Sequence, residues 1–64
     1  MNIIELKRMN KDFEDVVKKV NALKSFTKNV PEKLQKNFIQ SISAVNDGLE
    51  ILEDTLTDIK ISLD

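Results

Sequence analysis

Residues 38–63, FIQSISAVNDGLEILEDTLTDIKISL, carry the clearest structural signal in the chain. Phe38, Ile42, Val45, Leu49, Leu52, Leu56, Ile59 and Leu63 follow one another in steps that alternate between four and three. That spacing predicts one long α-helix with a single apolar seam, because an α-helix brings the same stripe round about every 3.5 residues when it packs on a neighbour. One conflict lies inside the seam, since Asn46-Asp47-Gly48 has the composition of a turn. The step from Val45 to Leu49 nevertheless keeps the register across the glycine, which a loop would let drift. A continuous helix is expected, with Gly48 costing about 1 kcal/mol relative to Ala. The alternative is a three-helix bundle with a break at Asn46-Asp47-Gly48.

Working towards the N-terminus, a second seam of the same kind runs through Leu6, Met9, Phe13, Val16, Val20 and Leu23. Thr27 and Val30 continue it only weakly. Lys24 falls about 20° from Phe13 on a helical wheel, inside the apolar arc, so the helix is expected to fray or bend near that point. The single proline, Pro31, separates the two seams and suits the first turn of a new helix, where its missing N–H goes unmissed. Asn29 and Glu32 have the spacing of a capping box. Val30, which precedes proline and is biased towards extended backbone, is the other candidate cap.

These signals make residues 1–64 one all-α domain, an antiparallel helical hairpin. A helix over about 2–27 is followed by a connection over about 28–30 and a helix over about 31–63. The arms reach roughly 38 and 48 Å at about 1.5 Å per residue. The fourteen seam side chains outline a core, yet a lone pair of helices covers each seam from one side only. Pairing of two hairpins into a four-helix bundle, or docking on another protein, is the expected remedy, and the seam residues are then also the dimer interface.

Composition excludes most chemistry. The chain has 64 residues with no Cys, His, Trp or Tyr and one Gly. There is no thiol nucleophile, no disulfide, no zinc-binding cluster and no imidazole base. Ser25, Ser41, Ser43, Ser62 and three Thr remain, without a glycine-rich turn to build an oxyanion hole or cradle a phosphate. The expectation is a non-catalytic protein with no cofactor and no metal. No run approaches the roughly 18 apolar residues of a membrane span. Nothing in Met1 to Arg8 resembles an export signal, so a cytoplasmic location is expected. Nine Lys to one Arg, with seven Ile and six Asn, suggests an AT-rich genome such as that of a low-GC bacterium, its phage or a plasmid.

Charge is divided between the arms. Residues 1–29 hold seven basic and four acidic side chains, a balance of +3, whereas residues 30–64 hold three and seven, a balance of −4. An antiparallel hairpin sets the basic start of the first helix (Lys7, Arg8, Lys11) beside the acidic end of the second (Glu50, Glu53, Asp54, Asp58). Lys7, Lys11 and Lys18 form a basic face, and Asp47, Glu50, Asp54 and Asp58 fall within about 80° of one another opposite the seam. Both read first as solvated faces. The acidic stripe lacks the convergent oxygens of a carboxylate metal site; its functional alternative is a mimic of nucleic-acid phosphates that blocks a basic groove.

Ile4, Phe26, Ile51 and Ile61 lie off the seams. Scattered apolar residues are ordinary on protein surfaces. Ile51 and Ile61, about 15 Å apart on one helix, are also candidate contacts to a second surface, across a dimer or on a target.

In length and hairpin plan the chain is similar to the Rop family of plasmid regulators, dimeric hairpins that grip paired RNA loops; no residue motif carries the likeness, which is one of plan alone. It implies an alternative in which the basic face of the first helix binds RNA, against which the overall negative balance weighs. A membrane-surface helix would need a basic polar face, and the second helix is acidic there. The principal expectation is a small protein–protein interaction module: an assembly factor, adaptor, chaperone or inhibitor, homodimeric and with one protein target, acting through coiled-coil-like helix packing.

Overall fold

A computed structural model describes residues 1–63. It contains two helices, α1 (Ile3–Lys24) and α2 (Glu32–Leu63), joined through a single 3-10 turn at Thr27–Asn29. The described residues include no strand. The all-α antiparallel hairpin is therefore the fold.

Each helix boundary has a local cause. Asn2 holds extended backbone ahead of α1, and its Oδ1 accepts a hydrogen bond from the Glu5 N–H at 2.9 Å. That bond satisfies one of the free N–H groups of the first turn, and Glu5 adds a favourable negative charge there. At the other end α1 stops at Lys24, three residues before the expected limit of 27. The Ser25 hydroxyl donates to the Ala22 carbonyl and the Thr27 hydroxyl to the Lys24 carbonyl, both at 2.6 Å. These hydroxyls serve the last carbonyls of α1 alongside the Ser25 and Phe26 N–H groups, which donate to the Ala22 and Leu23 carbonyls. The departure falls where Lys24 interrupts the apolar arc.

The 3-10 turn closes with the Asn29 N–H donating to the Phe26 carbonyl at 2.8 Å. Val30 then takes the extended conformation, with ψ of 136°, that the following proline imposes. The connection thus occupies residues 25–31 rather than 28–30, and α2 begins one residue after Pro31. The side chain that reaches back over this start is not that of Asn29: Gln35 Nε2 donates to the Val30 carbonyl at 2.9 Å.

The second helix passes through Asn46-Asp47-Gly48 without interruption, and neither Gly48 nor any other described residue has a positive φ. The three-helix alternative is not realised. Register outweighs local turn composition because breaking α2 there would uncouple two halves of one seam. The Ser41, Thr55 and Thr57 hydroxyls donate to the carbonyls four residues earlier, so these polar side chains are served within the helix itself.

The result is a thin rod of 49 × 16 × 11 Å with a radius of gyration of 15.1 Å. A compact chain of this length would have a radius of gyration of about 11 Å. The narrowest dimension is that of a single layer of helices. Among the described residues only Leu6, Val20, Ile42 and Leu56 are buried, two on each arm along the line where the helices touch.

Candidate interaction face

The seams split into two registers. Leu6 and Val20 on α1, with Ile42 and Leu56 on α2, point across the hairpin and are buried, and Phe13 and Leu49 in the same every-seventh rows are half-buried. The intervening rows lean to one flank. Met9, Phe38 and Ile59 are half-buried, while Val16, Leu23, Val45 and Leu52 are exposed; Leu63, the last of the Ile42 row, is exposed at the end of α2. Val16 is 45% exposed against 1% for Leu6. Two such rows face one neighbour in a two-stranded coiled coil and several in a bundle; here the single neighbour leaves the intervening row open.

On that flank Met9, Phe13, Val16, Leu49, Leu52 and Leu56 line an open groove of about 260 Å³, with Asp12 at its edge. Leu23 and Val45 carry exposed apolar surface towards the turn. The opposite flank is different in kind. Its shallow depressions are lined by Glu14, Lys18, Asn46, Glu50 and Glu53 around Phe13, Val17 and Leu49. One broad face of the rod therefore carries an apolar groove, whereas on the other charged side chains surround the apolar ones.

Val17 is the residue that the sequence reading passes over. It is half-buried and closes the polar flank between Phe13 and Glu53. The Val16-Val17 pair was the available signal, two neighbouring apolar positions of which only one fits the alternating register. Near the turn, Lys24, Thr27, Ile39, Ile42, Ser43 and Asp47 border a further depression of about 300 Å³.

The off-seam residues Ile4, Phe26, Ile51 and Ile61 are all exposed, Ile51 at 68% and Ile61 at 66%. By helical phase Ile51 lies about 20° from Asp58 at the outer edge of α2, and Ile61 falls between Glu50 and Asp54 on the same edge. Lys7, Lys11 and Lys18 are exposed along the outer edge of α1, and Asp47, Glu50, Asp54 and Asp58 along the outer edge of α2. The hairpin holds these two edges apart. Among the described residues no three His, Cys, Asp or Glu side chains converge on a point that could hold a metal ion. No described helix is long and apolar enough to cross a membrane.

No protein-family model matches the sequence, and neither a curated protein nor a solved structure does.

Proposed function

We propose that this chain is a non-catalytic interaction module whose working surface is the apolar flank, covered in use by other helices. The observation that carries the reading is the open groove between Met9, Val16 and Leu52, together with the exposed row that extends it through Leu23 and Val45. Apolar side chains at steps of three, four and seven along both arms suit coiled-coil-like packing. A homodimer forming a four-helix bundle is the assembly favoured, since symmetric pairs are the commonest closed form. Such a dimer, acting in the cytoplasm as an assembly factor, adaptor, chaperone or inhibitor, would keep its outer edges free for one protein target. The basic edge of α1 and the acidic edge of α2 are solvated faces in this reading.

The test is far-UV circular dichroism over a wide dilution series. Helicity that falls on dilution, and recovers on concentration, supports a hairpin held together by its partner. Undiminished helicity at every concentration, in a chain that remains monomeric, would mean that the flank needs no cover and would overturn the reading.

A further inference from the structure

We propose that the apolar flank is covered by a second copy of this chain related by a twofold axis along the rod, so that α1 of each copy lies on α2 of the other. This rests on the self-association reading above and adds the geometry.

Area indicates an occupant of this size. The chain exposes 5398 Å², whereas a compact monomer of 7.3 kDa exposes about 4,200 Å². The excess is about 1,200 Å² per copy, and a stable interface takes about 800 Å² from each partner. A broad face of 49 by 16 Å has the footprint to supply it.

Only two twofold arrangements press this flank against itself. An axis across the rod sets α1 on α1 and α2 on α2, basic on basic and acidic on acidic. An axis along the rod sets the arm with a balance of +3 on the arm with a balance of −4, and electrostatic complementarity selects between such alternatives.

The axis along the rod also preserves level, so residues that stand side by side within one hairpin stand side by side between copies. Phe13 borders one depression with Glu53, and Lys24 another with Ile42, which matches levels on the two arms to within about one helical turn. Five residues further from the turn on both arms, Arg8 comes level with Asp58 of the other copy. Six residues nearer the turn, Lys19 comes level with Asp47. By the same count Asp12 comes level with Asp54, a like-charge pair that the complementary pairs on either side outweigh. Val16 and Leu52 line the same open groove, so Val16 of one copy comes over Leu52 of the other.

The chain has no cysteine, so engineered pairs report contacts without background. Val16→Cys and Leu52→Cys chains, made separately and confirmed helical, are mixed and oxidised. The expected result is a covalent species at twice 7.3 kDa from the mixture and none from either variant alone. Gly48→Cys, near the middle of α2, stays uncross-linked by itself. Self-cross-linking of Gly48→Cys, or no product from the mixture while unmodified protein sediments as a dimer, overturns the arrangement and leaves self-association standing. Sedimentation as a monomer at all concentrations overturns both.

Discussion

Leu52 and Leu56 stand one turn apart on the same stripe of α2, and only one of them is covered: Leu56 is 7% exposed and Leu52 44%. The pair separates what holds the hairpin together from what the hairpin offers to others. Leu56 packs against α1, whereas Leu52 faces the open groove with Val16 and Met9. Leu56→Ala is expected to cost about 2–5 kcal/mol and to lower the melting temperature at every protein concentration. Leu52→Lys is expected instead to remove the dependence of melting on concentration. Thermal melts of both variants at two concentrations a hundredfold apart distinguish the two effects.

Gly48→Ala is expected to stabilise the protein by about 1 kcal/mol, the helix-interior difference between the two residues. Gly48 lies inside α2 without a positive φ, and an added Cβ meets nothing within 4 Å. A rise in melting temperature checks this; a fall would place a bend at Asn46-Asp47-Gly48 that the continuous helix does not contain.

Asn2→Ala removes the side-chain acceptor of the Glu5 N–H and is expected to cost about 1 kcal/mol, while Asn2→Asp retains the cap. The readout is amide hydrogen exchange at Glu5, which should quicken in the alanine variant and not in the aspartate one. Equal exchange in all three proteins would show that the cap contributes nothing.

Replacing Ile51 and Ile61 together by Lys is expected to leave the helical circular-dichroism signal unchanged, because both side chains are largely in solvent and surface changes of this kind are usually worth less than about 0.5 kcal/mol. A collapse of the signal would place them in the core and shift the register of α2.

Much of this was legible in the residues. The steps from Phe38 to Leu63 announced α2 and carried it across Gly48, where turn composition pointed the other way. Lys24 inside the arc marked the end of α1, and Pro31 the start of α2. The details of the connection were not legible, because Ser25, Thr27 and Gln35 act through local side-chain bonds that leave no periodic trace. Nor did the alternation of three and four say which half of each seam a single neighbour would cover. Leu6 and Val16 look equivalent in such a pattern, and they separate only when two helices are set side by side, with Val17 turned inward on the polar flank. Periodicity records that a helix packs against a neighbour, and it is silent about how many there are and which chain provides them.

The central claim is that this hairpin is half of a bundle. Sedimentation equilibrium of the unmodified protein tests it most directly. The expected mass at tens of micromolar is twice 7.3 kDa, giving way to the single-chain mass on dilution as helicity is lost. A 7.3 kDa species that stays fully helical at every concentration would contradict it.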